Sequence, residues 1–300
     1  MGPASGSGAR GGVEHFMLDG LAVRRRRPDP GTIDPSQAAT VVFVHGAMDR
    51  AASFARVMRR VDSAWTVAYD RRGYGDSDAW PGAPDGDDEA GEALAIHVDD
   101  LRSVVGKVTG ERPGLPVLLV GHSLGGLVAL MATADRFPAG PSGHSTVMVF
   151  EAPLPWTDTG HATSGAMTIE EGHRAGAAAA AEFFYRSMVG DAAWERVGAA
   201  ARDRRRSEGP ALMAELVDAR RERQRIPVPS PPWRLRIGVG EVGPAHLHRA
   251  AELLADASGA AVEVMPGASH GAHLGNPDRF SSWVATALPE RLHRDPGGGR

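Results

Sequence analysis

The types of residue change around a serine in the stretch VLLVGHSLGGLVALMA, where Ser123 follows GH and precedes LG. Branched apolar residues before it, and small residues and leucines after it, predict a buried strand that turns directly into a helix. This is the setting that the G-x-S-x-G nucleophile elbow requires, because its glycines let the strand and helix backbones approach each other. The pattern therefore predicts a nucleophilic serine that attacks a carbonyl carbon.

A serine nucleophile needs a base that accepts its proton. The stretch VMPGASHGAHLGNPDRF offers two histidines, His270 and His273. We predict His270 as the base, because it lies in a glycine-rich loop directly after the last predicted strand and shortly before the last helix. His273 is the alternative.

The oxyanion that forms during attack on a carbonyl needs hydrogen-bond donors. In VFVHGAMDR a predicted strand ends at Val44, and the His-Gly turn that follows lets the amide of Ala47 face the serine. The amide of Leu124, at the start of the helix after the elbow, is the predicted second donor.

Taken together, these stretches resemble the α/β-hydrolase superfamily in its capped, serine-nucleophile form, over about residues 15–292. The matching text is VFVHGAMD, YDRRGYGDSD, GHSLGG and PGASHGAHLGNP. The resemblance implies a Ser-His-acid triad in chain order, an eight-stranded sheet, and a cap inserted after the sixth strand.

The acid of the implied triad is missing from its common place. Many relatives carry G-x-x-D after the seventh strand, but GVGEVGP puts Gly243 at the position that looks equivalent. Glu151, at the end of the sixth predicted strand, is our predicted acid, because four apolar residues precede it and a buried carboxylate demands a partner. Haloalkane dehalogenases look similar in carrying a glutamate there, although their nucleophile is aspartate. Glu241, at the end of the seventh predicted strand, is the alternative acid.

The elements that must position these residues follow an alternating pattern. Asp-Gly between two apolar runs in HFMLDGLAV predicts an initial antiparallel hairpin. Strands and helices then alternate, which predicts an α/β fold whose mostly parallel sheet is covered by helices on both faces. Residues 156–225 show a helical pattern with no strand, which predicts an inserted helical cap. We therefore expect a disordered arm (1–12), an α/β-hydrolase core (13–155 and 226–292), the cap, and a tail (293–300).

Composition narrows the classes of function. The chain has no cysteine, which excludes disulfides and thiolate chemistry, and its net charge of −4 argues against a nucleic-acid partner. The start of the chain has no apolar core of the signal-peptide kind, and no run of about 18 apolar residues occurs, so we expect a cytoplasmic protein without a membrane partner. We also expect no cofactor and no metal.

The sequence thus predicts a cofactor-independent serine hydrolase of esterase type that cleaves a small or medium hydrophobic ester through an acyl-enzyme. Lactones, thioesters, carbon-carbon bonds and perhydrolysis are alternatives for the same triad. A weakly active binding or receptor protein is the alternative of another class, and Gly243 is its support. Four apolar residues of the cap are predicted to contact the substrate, although packing of the cap on the core would explain them equally well: Trp156, Phe183, Phe184 and Met188.

Overall fold

The computed structural model describes residues 12–82, 92–134, 137, 145–157, 163–221, 223 and 225–289. The predicted tail (293–300) lies outside the described residues, as does all of the predicted arm (1–12) except Gly12.

In the described part of the chain, eight strands form one sheet: β1 (Val13–Leu18), β2 (Leu21–Arg26), β3 (Thr40–Val44), β4 (Trp65–Tyr69), β5 (Val117–His122), β6 (Thr146–Phe150), β7 (Arg234–Gly240) and β8 (Val262–Met265). Their order across the sheet is β1-β2-β4-β3-β5-β6-β7-β8. The β1-β2 and β2-β4 pairs are antiparallel and the other five pairs are parallel. This confirms the mostly parallel sheet that the alternating pattern predicts and the eight strands that the resemblance implies.

The first two strands form the hairpin that Asp-Gly predicts. Asp19 and Gly20 have φ values of 48° and 81°, and Leu18 pairs with Leu21 across the turn. Two central residues with positive φ give a turn whose twist matches that of the flanking strands.

Helices cover both faces of the sheet. The α-helices of the described residues are α1 (Ala55–Arg60), α2 (Ala93–Glu111), α3 (Leu124–Ala134), α4 (Ser164–Ala175), α5 (Ala177–Val189), α6 (Asp191–Arg196), α7 (Ala199–Ser207), α8 (Gly209–Ala219), α9 (Ala245–Ser258), α10 (Ala272–Gly275) and α11 (Pro277–Ala285). Helices α2, α3 and α9 pack with Val42 and Val44 of β3, whereas α1, α10 and α11 pack with Val41 and Phe43. Alternate residues of one strand therefore enter opposite cores, which is why the central strands are apolar throughout. No helix in the described ranges has both the length and the apolar character that crossing a membrane requires.

Between β6 and β7, the described residues form five helices, α4 to α8, which make up the inserted cap. A buried ion pair anchors them to the core: Nη1 of Arg71 lies 2.6 Å from Oε2 of Glu215 on α8, and both side chains are fully buried. The hydroxyl of Tyr74 donates to the same carboxylate at 2.5 Å. Burial by itself would raise the pKa of Glu215, but the charge of Arg71, together with the hydrogen bonds and charge that Arg71 and His97 supply, outweighs burial and lowers that pKa to about 2. The cap is thus attached through a carboxylate that is ionised at neutral pH.

Candidate active site

Strand β5 turns directly into α3 at Ser123, whose φ of 52° lies in the left-handed region. The amide of Ser123 donates to the carbonyl of Phe150, the last residue of β6, at 3.0 Å. A non-glycine residue in this region stores about 1–3 kcal/mol of strain and persists only where its surroundings enforce it, commonly at functional sites. The neighbouring strand therefore holds the serine in its corner.

Two glycines give the corner the space that it needs. A Cβ on Gly121 would lie 2.5 Å from Cα of Gly126, and a Cβ on Gly125 would lie 2.3 Å from the carbonyl oxygen of Val44. Real Cβ atoms do not approach backbone atoms so closely. Each glycine of the predicted elbow thus allows a close approach of two backbones, as the motif requires.

Ser123 and His270 line the same cavity, of about 880 Å³, which the core and the cap enclose together. Of the predicted substrate-binding residues, Phe184 and Met188 contribute to its wall. The cavity thus brings residues of the elbow, the histidine loop and the cap together.

The other two predicted substrate-binding residues are placed elsewhere. Trp156 packs against the core, with its ring 5.1 Å from the guanidinium carbon of Arg223, and it is not part of the cavity wall. Phe183 precedes Phe184 on α5 and is also absent from the wall. The wall includes both Phe184 and Tyr185, so the side of α5 that faces the cavity begins after Phe183, which points about 100° away from Phe184.

The imidazole of His270 contacts a carboxylate from the sixth strand. Its Nδ1 lies 2.6 Å from Oε2 of Glu151, which directly follows β6 and has a fully buried side chain. The other oxygen, Oε1, accepts a hydrogen bond from the amide of Gly240 at 2.8 Å. The backbone of Glu151 is itself held in the left-handed region, with a φ of 49°, and its amide donates to Gly238 at 2.9 Å. Both carboxylate oxygens therefore have the partners that burial demands.

The alternative candidates lie apart from this contact. Glu241 is exposed, and its Oε2 accepts a hydrogen bond from the amide of Gly267 at 2.7 Å. His273 is 1% exposed, and its Nε2 lies 3.1 Å from Oδ2 of Asp49. The carboxylate beside His270 Nδ1 therefore belongs to Glu151.

Gly243 occupies the position where the resemblance implies an acid. A Cβ on Gly243 would lie only 2.0 Å from Oε1 of Glu151. The glycine thus leaves open the space that the carboxylate of Glu151 enters from the neighbouring strand. The glycine at 243, which departs from the common pattern, and the glutamate at 151 thus fit together, because the carboxylate needs the space that the glycine leaves.

The two predicted oxyanion donors, Ala47 and Leu124, also line the cavity. The backbone before Ala47 runs close to Ser123, since a Cβ on Gly46 would lie 3.0 Å from Cβ of Ser123. Among the described residues, no backbone or side-chain acceptor receives a hydrogen bond from either amide. Both amides are therefore available to a substrate oxygen.

Arg71, a residue that the sequence analysis did not single out, braces the loop before Ala47. Its guanidinium donates to the carbonyls of His45 and Gly46, each at 3.0 Å, and its amide donates to Nε2 of His45 at 2.8 Å. Nδ1 of His45 must then carry the hydrogen, and it donates to Gly46 at 2.7 Å. Burial and the charge of Arg71 lower the pKa of His45 to about 3, so this imidazole is neutral. The YDRRGYGDSD stretch was the signal that could have identified Arg71.

Comparison with protein families assigns the chain. Residues 41–283 match the model of the alpha/beta hydrolase family. The chain belongs to this family. Among curated relatives of this alpha/beta hydrolase, a monoacylglycerol lipase of Mycolicibacterium smegmatis is 31% identical over 127 residues, which cover 42% of this chain and 41% of that protein. Human monoglyceride lipase is 31% identical over 118 residues, which cover 38% and 35%. Each match thus spans less than half of the relative's length.

Solved structures share the fold of this alpha/beta hydrolase at low identity. An esterase from Exiguobacterium antarcticum has a TM-score of 0.61 and 17% identity, over 89% of this chain and 94% of that one. An enol-lactonase from Burkholderia xenovorans has a TM-score of 0.61 and 17% identity, over 91% and 99%. A bottromycin epimerase has a TM-score of 0.62 and 20% identity, over 92% and 99%. One fold thus carries several activities, so the activity of this hydrolase must be argued from its site.

Replacing Gly243 by alanine is expected to lower the kcat of this alpha/beta hydrolase by about 10- to 100-fold, because a misplacement of about 1 Å at a reacting group costs that much. The added Cβ would lie 2.0 Å from Oε1 of Glu151 and would therefore displace this carboxylate. Gly275→Ala is the matched control, because a Cβ there meets nothing within 4 Å. Steady-state kinetics of both variants measure the effect, and an unchanged kcat in Gly243→Ala would show that the carboxylate does not need this space.

Proposed function

We propose that this protein is a cofactor-independent serine esterase that uses Ser123, His270 and Glu151 to cleave a small or medium hydrophobic ester. The observation that carries the proposal is the 2.6 Å contact between Nδ1 of His270 and Oε2 of Glu151, at a cavity that Ser123 also lines. The esterase and lipase relatives support the class of reaction.

The proposed mechanism begins with the tautomer of His270. A carboxylate only accepts hydrogen bonds, so Nδ1 carries the hydrogen toward Glu151 and Nε2 is free to act as a base. Nε2 takes the proton of the Ser123 hydroxyl as Oγ attacks the ester carbonyl. The resulting imidazolium then gives the proton to the leaving alcohol, and an acyl-enzyme remains. Water attacks the acyl-enzyme with His270 again as the base, which releases the acid and restores the serine.

The amides of Ala47 and Leu124 are the proposed donors to the oxyanion. Both lie on the cavity wall next to Ser123, and neither donates to another acceptor among the described residues. Preorganised donors of this kind are worth about 2.7–4 kcal/mol each in transition-state stabilisation. The bracing of the loop by Arg71 would keep the Ala47 amide in place without reorganisation during the reaction.

The cavity wall supports a hydrophobic acyl or alkyl group. Phe184, Met188 and Leu216 from the cap and Leu247 from α9 contribute apolar surface. We take the helices within residues 156–225 as the cap that closes over this group. The two lipase relatives favour a monoacylglycerol as a second candidate substrate, since their names specify that class.

A fluorophosphonate probe tests the proposal, because it phosphonylates an activated serine and leaves a passive one unmodified. We expect stoichiometric labelling, which peptide mass spectrometry assigns to Ser123, and turnover of a series of p-nitrophenyl esters from acetate to dodecanoate. The chain length with the highest kcat/KM measures the acyl site, and a monoacylglycerol, a lactone and a thioester in the same assay separate the alternative substrates. Absence of labelling would overturn the esterase proposal and favour a binding protein on a hydrolase scaffold.

A further inference from the structure

His122, the last residue of β5, reaches from the nucleophile's strand to the loop of the catalytic base. Its Nε2 lies 2.8 Å from the backbone carbonyl oxygen of His270, although 148 residues separate the two in sequence. The two imidazole rings also pack together, with their centroids 4.7 Å apart. Since His122 is peptide-bonded to Ser123, one side chain connects the backbone of the nucleophile with the backbone of the base.

The contact defines the protonation of His122. A carbonyl oxygen only accepts, so Nε2 must carry the hydrogen that it donates to His270. Burial, together with the nearby His273 and His270, lowers the pKa of His122 well below its usual value, so the ring is neutral and Nδ1 is a bare acceptor. Among the described residues, this buried nitrogen has no hydrogen-bond partner. An unsatisfied buried acceptor destabilises the folded protein, so packing alone would favour an apolar side chain at this position.

A second pair of side chains also positions the His122 ring. The ring of His273 lies 4.3 Å from it, centroid to centroid. His273 is in turn fixed by Asp49, whose Oδ2 lies 3.1 Å from its Nε2 and also accepts a hydrogen bond from the hydroxyl of Ser53 at 3.0 Å. The His122 ring therefore contacts both the His270 loop and the start of α10, which leaves it little freedom to rotate away from the His270 carbonyl.

We propose that His122 is a positioning residue, whose hydrogen bond to the His270 carbonyl sets the distance between the Ser123 hydroxyl and the His270 imidazole. This inference rests on the proposed function of Ser123 and His270. Glu151 orients the ring of His270 through Nδ1, whereas His122 fixes the backbone that carries that ring. Loss of the second constraint lets the base drift from the nucleophile, and a drift of about 1 Å at a reacting group costs about 10²-fold in rate.

Three substitutions at one position separate positioning from packing. In His122→Gln the side-chain amide nitrogen reaches approximately the position of Nε2, so the donor to His270 is retained. In His122→Phe the ring is retained without a donor, and in His122→Met a flexible side chain fills the space without a donor. We expect kcat, and the rate of fluorophosphonate labelling, to fall at least about 10-fold in His122→Phe and His122→Met with KM little changed, and to stay within about threefold of the wild type in His122→Gln.

Val105→Ala on α2 is the control for general destabilisation. The substitution opens a cavity in the core that α2, α3 and α9 form with the sheet, and it should lower Tm without a change in kcat. A purely structural His122 would lower Tm in the same way and leave kcat, corrected by titration of active sites, unchanged. Wild-type kcat in either donor-free variant, or an equal loss in His122→Gln, would overturn the inference. If the wild type itself is not labelled at Ser123, the proposed function fails instead, so the two failures are distinguishable.

Discussion

Replacing Ser123 by alanine is expected to abolish fluorophosphonate labelling and to lower kcat for p-nitrophenyl esters by at least about 10⁴-fold, since loss of a nucleophile removes the covalent route altogether. The fold should persist. Alanine and serine both have a Cβ, which the backbone already accommodates at a φ of 52°. The hydrogen bond from the amide of residue 123 to the Phe150 carbonyl does not involve the side chain. Circular dichroism and thermal unfolding should therefore match the wild type.

Ser282→Ala serves as the control for this variant. Ser282 is an exposed residue of α11 that donates to the carbonyl of Asp278 and lies outside the cavity wall. Its replacement should leave labelling and turnover unchanged. A Ser123→Ala protein that kept more than about 1% of wild-type kcat would contradict the serine mechanism, because the remaining donors alone do not supply a nucleophile.

Glu151→Gln is expected to lower kcat by at least about 10²-fold with little change in KM, because it forces the wrong tautomer on His270. In the wild type the Glu151 carboxylate accepts two hydrogen bonds, from the Gly240 amide at Oε1 and from His270 Nδ1 at Oε2. Glutamine has only one acceptor oxygen. If that oxygen stays on the Gly240 amide, the NH₂ group faces Nδ1 and moves the ring hydrogen to Nε2, where it blocks the base.

Glu241→Gln is the matched comparison and should cost less than about tenfold in kcat. Its carboxylate is exposed and accepts from the amide of Gly267, which an amide oxygen replaces at small cost. Steady-state kinetics on one ester, with thermal unfolding of both variants, make the measurement. A large loss in Glu241→Gln together with a small one in Glu151→Gln would transfer the role of the acid to the seventh strand.

The local elements of this protein could be predicted because their signals lie within a few residues. Asp19-Gly20 between two apolar runs specifies a hairpin turn, and the glycines around Ser123 specify the strand-to-helix corner. Runs of branched apolar residues that alternate with segments of helical pattern specify a parallel sheet. Strands of such a sheet are buried on both faces and therefore lack alternating polar residues.

The cap residues that face the cavity could not be predicted in the same way. Phe183 and Phe184 are adjacent on α5, equally apolar, and indistinguishable by composition, yet only Phe184 lines the cavity. Which side of a helix is turned toward the site depends on how the helix packs on the core, and Trp156 likewise packs against the core instead. An apolar stretch indicates that a side chain is covered but leaves open what covers it.

The sequence by itself determined the α/β architecture, the serine at its elbow, the histidine loop and a short choice of acids. Only the tertiary structure decided which groups meet, because these contacts join residues 119, 148 and 144 positions apart: Glu151 with His270, His122 with His270, and Arg71 with Glu215. Strand β6 lies between β5 and β7, so the residue that follows it is brought beside both the elbow and the space that Gly243 leaves. Local chemistry fixes the strands and turns, whereas the neighbours of each strand follow from how the whole sheet packs, and that packing places Glu151 rather than Glu241 at the imidazole of His270.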